Sequence, residues 1–349
     1  MRIGIPREVK DGEFRVALSP AGLAFLDAET VVEPDAGTGS GFTDDEYLRN
    51  GARLGDPWDC ELVLKVKELQ PSEYRRPRRG QMIFGFQHFG PSPELLDAAL
   101  ASGATFIAFE TVGQASGLPI LAPMSAIAGR LAPQAGAWCL QKQNGGSGVL
   151  LSGLEGVAPA KVLILGAGNV GANALATAHG MGANVTLLAK SERRLPGLRK
   201  LYPRASFSVL KQNLDDLLHE TDLVIGAVLT PGEMSPKLIT RAMLRRMRKG
   251  SALVDVGIDQ GGIAESSRPT SHSMPTYIEE SIVHYCVPNM PAACARTASL
   301  ALEKAVLPFI LQLIEDKPSD ALISGIQVRN GKIVHQQLAR DTRRSHAPL

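Results

Sequence analysis

Short apolar runs punctuate the first third of the chain. Arg2 to Ile5, Val31 to Glu33, Leu62 to Val66, Met82 to Gln87 and Thr105 to Glu110 read as strands. Between the last two, Pro93 to Ser102 has helical spacing and Gly103 stands where a helix stops. Pro20 to Leu26 reads as a helix opened by Ser19-Pro20. This alternation predicts a parallel sheet layered with helices. The pattern changes near Gly117 to Pro123. An Ala-rich, helix-favouring stretch, Ala126 to Gln143, leads into the turn Gly145-Gly-Ser-Gly148. Beyond it, Leu163 to Leu165, Asn184 to Leu188, Asp222 to Val228, Ala252 to Val256 and Ile282 to Val287 are apolar with little alternation, as in central strands buried on both faces. Helices are expected over Asn173 to Met181, Lys237 to Met247 and Ala298 to Leu313, the last with Pro308 inside its pattern. The last ten residues, polar and Arg-rich, predict disorder.

The junction Lys161-Val-Leu-Ile-Leu-Gly166-Ala-Gly168-Asn169-Val170-Gly171 carries the first chemistry. A strand, a glycine-rich turn, a helix and a second strand form one βαβ unit of about 30 residues, the dinucleotide-binding arrangement. Gly166 permits the tight turn, Gly168 lets backbone N–H groups approach the pyrophosphate, and Gly171 lets helix and strand pack closely. The phosphates then sit at the positive end of the helix. The second strand ends in Ala189-Lys190-Ser191, where an NAD site usually has an acid on the ribose 2′-hydroxyl. Without that acid, and with Lys190, Ser191, Arg193 and Arg194 near by, the expected preference is NADP(H) over NAD(H).

The fold class that follows is α/β, with two doubly wound domains. A Rossmann dinucleotide-binding domain spans 122–297, and a discontinuous substrate domain is made of 1–121 and 298–349, the active site lying in the cleft between them. A length of 349 residues accommodates both. The composition, 44% hydrophobic and 21% charged, is that of a globular protein, and a net charge of +2 argues against nucleic-acid binding. The apolar stretch Leu300 to Ile314 is interrupted by Glu303 and Lys304, and the N-terminus lacks a signal-peptide core, so no membrane span is expected. Cys60, Cys139, Cys286 and Cys294 lack metal-ligand spacing; a reduced, cytoplasmic protein without a metal site is expected.

The chain also resembles the alanine dehydrogenase and transhydrogenase family. The matching strings are Met1-Arg-Ile-Gly-Ile-Pro-Arg-Glu8, Phe14-Arg-Val-Ala17, Leu64-Lys-Val-Lys-Glu68, Phe109-Glu-Thr-Val112, Ala122-Pro-Met-Ser125, Asp222 to Leu229, Val254-Asp-Val-Gly-Ile-Asp-Gln-Gly-Gly262, Ser267-Arg-Pro-Thr270 and His284-Tyr-Cys-Val-Pro-Asn-Met-Pro291. The resemblance implies reversible, nicotinamide-linked oxidative deamination of an L-amino acid to its 2-oxo acid and ammonia. It assigns the substrate carboxylate to Arg15, whose planar fork suits that group. Lys65 and Lys67 are two apart on an expected strand and so share a face; the family pattern selects Lys67 for the substrate, with Glu68 as its orienting partner. His88 matches the family's general acid and base, a role suited to imidazole near neutral pH. Asp259 matches the second proton-transfer residue, at the carboxyl end of a strand. Glu110, Ser125, Asn289 and Met290 match supporting and cofactor positions, joined for the cofactor by Val228, Leu229 and Ile258. Asp255 reads as structural.

Ala126 stands where the family usually has glutamate, Pro288 and Ala295 replace Ala and Pro around Asn-Met-Pro, and the Asp35 to Glu61 region is short. These departures bear on substrate size and assembly. A homo-oligomer, hexamer or dimer, is expected. The competing readings are a transhydrogenase-like cofactor-binding subunit and a non-catalytic cofactor sensor.

Overall fold

Of the strand Lys161–Leu165, Val162 and Ile164 enter one hydrophobic cluster while Leu163 and Leu165 enter another. Both faces of the strand are covered, which is why its sequence runs apolar without alternation. Each such side chain contributes roughly 1.5–3 kcal/mol by leaving water. The computed structural model describes residues 1–114, 117–210, 214–228 and 235–348. Its strands, in chain order, are β1 (Arg2–Ile5), β2 (Glu29–Val32), β3 (Arg53–Leu54), β4 (Leu62–Leu64), β5 (Met82–Gly85), β6 (Thr105–Ala108), β7 (Lys161–Leu165), β8 (Asn184–Ala189), β9 (Ser206–Val209), β10 (Leu223–Gly226), β11 (Ala252–Asp255), β12 (Thr276–Glu279), β13 (Ile282–Tyr285), β14 (Ile326–Arg329) and β15 (Lys332–Ile333).

Two compact units emerge, Met1–Met124 with Ala292–Leu349, and Ser125–Pro291. The first boundary falls inside the helix Leu121–Cys139. That helix carries Pro123 in its first turn, where a missing N–H costs nothing, and Pro133 in its interior.

The first unit holds an eight-stranded sheet in the order β15-β14-β6-β5-β4-β1-β2-β3. Strands β1 to β6 pair in parallel, while β14 joins β6, and β15 joins β14, antiparallel. Trp58, Phe89, Leu96, Phe106 and Val328 lie in one of its buried clusters. The helix Ala295–Ile314 buries Ala298, Leu302, Val306 and Ile310. The stretch Met290–Ile314 is long and apolar enough by composition to cross a membrane, yet Glu303 within it accepts the Ser19 N–H at 2.5 Å. That is the behaviour of a core helix.

The second unit holds a seven-stranded sheet, β12-β13-β11-β10-β7-β8-β9, parallel except at β12. Chain order runs outward in both directions from β7 and β10, so the switch point lies between these two, where open α/β sheets bind ligands.

Several elements differ from expectation. The helix expected over Pro20 to Leu26 is a short 3-10 turn, Ala21–Phe25. The helix expected over Lys237 to Met247 begins only at Arg241, after the cap Thr240. The C-terminus is ordered: Gln336–Asp341 is helical, Arg344 pairs with Asp97 at 2.5 Å, and His346 bridges to Ile333. Arg344 is spent on a partner, which composition alone does not reveal.

Candidate active site

Strands β4, β5 and β6 are neighbours, so the residues just past their carboxyl ends come together: Lys65 to Glu68, Gln87 to Phe89, and Phe109 to Glu110. Lys65 and Lys67 do not share a face. β4 ends at Leu64, and beyond it strand alternation no longer applies. Lys65 is buried against Glu73 at 2.7 Å and Glu8 at 3.3 Å. Burial, opposed by Lys65, pushes the Glu8 carboxyl up to about 7. Lys67 goes elsewhere. Its Nζ lies 3.0 Å from His88 Nε2, 3.6 Å from Glu68 and over the ring of Phe86.

His88 has φ of +46°, a left-handed conformation costly for a residue with a side chain. Glu110 holds it there: its carboxylate accepts the N–H of His88 at 2.8 Å and of Gln87 at 3.1 Å. Phe86 stacks on the imidazole with ring centroids 5.7 Å apart. Burial first and the Lys67 ammonium second push His88 down to about 3. With 40% of the side chain open to water, solvent softens that depth, but both causes act in one direction and the ring is neutral at pH 7. Burial works against the Glu68 carboxylate, yet Lys67, His88 and Lys10 outweigh it and hold it at about 2. The cluster therefore places an anion, an ammonium and a neutral imidazole in sequence.

Arg15 is buried, and the arginine also feeds the positive field on His88. Glu13 takes one edge of its fork: Nε donates to Oε1 at 2.7 Å and Nη2 to Oε2 at 2.6 Å, while Nη1 lies 3.1 Å from Met124 Sδ. The planar guanidinium suits a substrate carboxylate. Sequence reasoning missed Glu13 because a carboxylate two residues before an arginine looks like surface; only its burial shows it as a partner.

In the second unit, β7 enters the glycine turn and the helix Asn169–Gly180 follows, starting earlier than its apolar pattern suggests. Gly166 has φ of +114°, and a side chain there would strike the Ala227 carbonyl after β10. A side chain at Gly171 would strike the Gly166 carbonyl. At Gly168, the helix N-cap, a Cβ would meet nothing within 4 Å. Packing thus explains two glycines, while the third faces open space at the positive end of a helix, which fits a dinucleotide pyrophosphate. Asn169 is exposed and Val170 half-buried beside it. Gly129 keeps the helix Leu121–Cys139 close: a Cβ there would strike the Val170 carbonyl.

Of the other expected cofactor residues, Ser125 and Val228 are half-buried, Ile258 and Met290 buried, and Asn289 has φ of +60°. Leu229 lies outside the described residues. Asp259 is exposed after β11, in the short 3-10 turn Ile258–Gln260. Among the described residues no group of His, Cys, Asp and Glu has the makings of a metal site.

The chain matches the family described as Alanine dehydrogenase/PNT, by its N-terminal domain over residues 4–128 and its C-terminal domain over 132–337. An alanine dehydrogenase of Halomonas elongata is 46% identical, covering 97% of this chain and 96% of the relative. One of Bacillus subtilis is 42% identical, covering 100% and 96%. A solved L-alanine dehydrogenase superposes with a TM-score of 0.93 at 41% identity, covering 98% of this chain and 99% of the other. A transhydrogenase structure from Sinorhizobium meliloti follows at 0.81 and 25%, covering 96% and 99%.

These matches overturn the expected NADP(H) preference: they run full length to alanine dehydrogenases, and the cofactor is NAD(H). The structure supplies the physical reason. Ala189 is only 2% exposed and packs into the core. Arg194 donates back to the Ala167 carbonyl at 3.3 Å. Lys190 and Ser191 are exposed, but the next residue is Glu192, a carboxylate paired with Arg199 at 3.1 Å. The supposed phosphate cradle thus has one cation already engaged and an anion in its midst.

Proposed function

Since this chain belongs to the alanine dehydrogenase/PNT family, we propose that it interconverts L-alanine and pyruvate with NAD(H), releasing or consuming ammonia. It is an alanine dehydrogenase-like oxidoreductase. The transhydrogenase reading has the weaker match. The observation that carries the chemistry is the Lys67–His88 contact of 3.0 Å, set beside Arg15.

Arg15 holds the substrate carboxylate through its planar guanidinium, and Glu13 stops the fork from rotating. The Lys67 ammonium faces His88 Nε2, which places the proton of neutral His88 on Nδ1; once Lys67 turns its N–H to the substrate oxygen, the Nε2 lone pair is open to act as the base. In deamination, water adds to the imine carbon; His88 takes a proton from that water, and the carbinolamine collapses to pyruvate and ammonia. In amination the same proton returns from His88 to the departing hydroxyl, while Lys67 stays charged and polarises the oxo oxygen. Glu68 keeps Lys67 charged. Asp259 serves the second proton transfer. Gly166, Gly168 and Gly171 with the N–H groups of Asn169 and Val170 would hold the dinucleotide, and Asn289 and Met290 its nicotinamide end. The bound nicotinamide supplies hydride exchange with the substrate C2.

The exposed Leu150, Leu154 and Val157, at 62%, 74% and 63% exposure, support a homo-oligomer, with light scattering to separate dimer from hexamer. All four cysteines are free, which supports a reducing, cytoplasmic setting. The test of the reaction is oxidation of NADH by the purified protein with pyruvate and ammonia, beside NADPH. Turnover with NADH is expected; no turnover across a panel of small 2-oxo acids would refute the enzyme reading.

A further inference from the structure

The turn that carries Asp259 is held from two sides by side chains that the reaction above does not use. On one side stands Asp255, the buried last residue of β11. Its Oδ2 accepts the Ile263 N–H at 2.7 Å and the Ser267 hydroxyl at 2.6 Å, closing the chain from 255 to 263 into a ring. On the other side stands Lys237, in the extended segment before the helix Arg241–Arg246. Its Nζ donates to the carbonyls of Gly261, of Gly262 at 3.0 Å and of Ala264 at 3.1 Å.

An ammonium has three N–H donors, and here each meets a backbone carbonyl. Three carbonyl dipoles turned toward one point repel each other unless a cation sits among them. The backbone is chosen for the same conformation. Gly261 and Gly262 have φ of +89° and +73°, and a Cβ on Gly262 would collide with the Asp255 carboxylate. Carboxylate on the N–H side, ammonium on the carbonyl side and two left-handed glycines fix one shape for the hexapeptide Gly257-Ile-Asp-Gln-Gly-Gly262. Asp259 is its exposed acid. Lys237 is itself exposed, so its three bonds are not a by-product of core packing.

We infer that Lys237 is a positioning residue for Asp259: its clamp on the Gly261, Gly262 and Ala264 carbonyls, set against Asp255, fixes where the Asp259 carboxylate stands. This rests on the reading of Asp259 as a proton-transfer residue and extends it to a lysine outside the proton path. A lysine that merely stabilised the unit would lower the melting temperature and leave turnover per folded enzyme alone. A positioning lysine does the reverse.

The experiment uses Lys237→Met, which keeps the stem and removes all three donors, in the direction of L-alanine and NAD. Misplacing a reacting group by about 1 Å costs on the order of 10²-fold, so kcat is expected to fall roughly ten- to a hundredfold. The KM values for alanine and NAD should stay within about threefold, since ground-state binding is untouched. Lys237→Arg should recover only part of kcat, because a planar fork cannot serve three converging carbonyls. The deciding measurement is the double variant with Asp259→Asn. If Lys237 acts through Asp259, the double variant is no slower than Asp259→Asn alone, within about twofold. Multiplied losses overturn the inference, as does a normal kcat in Lys237→Met beside a slow Asp259→Asn. A wild-type kcat in Asp259→Asn removes the reading of Asp259 itself, and the inference with it.

Discussion

The ends of β4 to β6 and the end of β7 lie at corresponding places in two parallel sheets, yet they are built from different materials. The first gathers Glu68, Lys67, His88 and the Glu13–Arg15 pair, charges held out of water and shifted by one another. The second is almost free of charged side chains: three glycines, backbone amides and a helix end. A group that changes its protonation during a reaction needs tunable side chains. A pyrophosphate, whose charge stays fixed, is served by backbone dipoles that cost no reorganisation. The cost of substitution should divide in the same way, through unpaired charge in one place and through collision or lost approach in the other.

The largest effect is expected at Glu13. Its carboxylate and the Arg15 guanidinium are 0% and 1% exposed, 2.6 Å apart. Glu13→Ala leaves the guanidinium buried without its partner, a loss of about 3–5 kcal/mol, and frees the fork to rotate, raising the KM for alanine. Urea unfolding with kinetics on the surviving fold checks both. Gly171→Ala comes next. Its Cβ runs into the Gly166 carbonyl, an overpacking worth roughly 1–3 kcal/mol, and should weaken NADH binding in calorimetry. Gly168→Ala separates ligand from packing: with nothing within 4 Å of the new Cβ, the melting temperature should hold while NADH affinity falls about tenfold, or ~1.4 kcal/mol. Equal melting losses in the two glycine variants would erase the distinction between them.

The smallest effect is a pH shift. Burial and then Lys67 depress His88, so its folded pKa of about 3 lies below the ordinary imidazole value of 6.5. Between these values the unfolded chain takes up a proton that the folded one refuses, so stability falls as pH drops from 6.5 toward 3. Because the ring is 40% exposed, the loss is well below what the shift alone implies. Glu8, raised to about 7, acts with the opposite sign over pH 7 to 4.5, since there the folded state binds the proton first. Lys67→Met should raise the His88 pKa, read by NMR titration of the ring; an unchanged or lower value would remove Lys67 as a cause.

The glycine turn was legible in the sequence because it is local: strand, turn and helix are consecutive, and Gly166 and Gly171 each have their own steric reason. The parallel strands were legible because burial on both faces leaves them uniformly apolar. Apart from Glu13, the contacts that escaped span a distance in sequence. Glu110 reaches His88 across 22 residues and Lys237 reaches the Asp259 turn across 24 to 27, spacings that carry no local periodicity. Strand β14, between β15 and β6, alternates apolar and polar residues and pairs with β6 only through the fold. Lys65 and Lys67 were placed on one face by assuming that the strand continued two residues too far. The cofactor preference failed on Glu192, which composition counts but the motif passes over.

The central claim is that chemistry resides in the charged cluster and the grip on dinucleotide in the glycine turn. The most direct measurement is kcat together with the NADH dissociation constant for His88→Ala. Loss of the proton shuttle should lower kcat by about 10²–10⁴-fold, with NADH binding within about twofold of wild type. Near-normal turnover, or a loss that tracks weakened NADH binding, would contradict it.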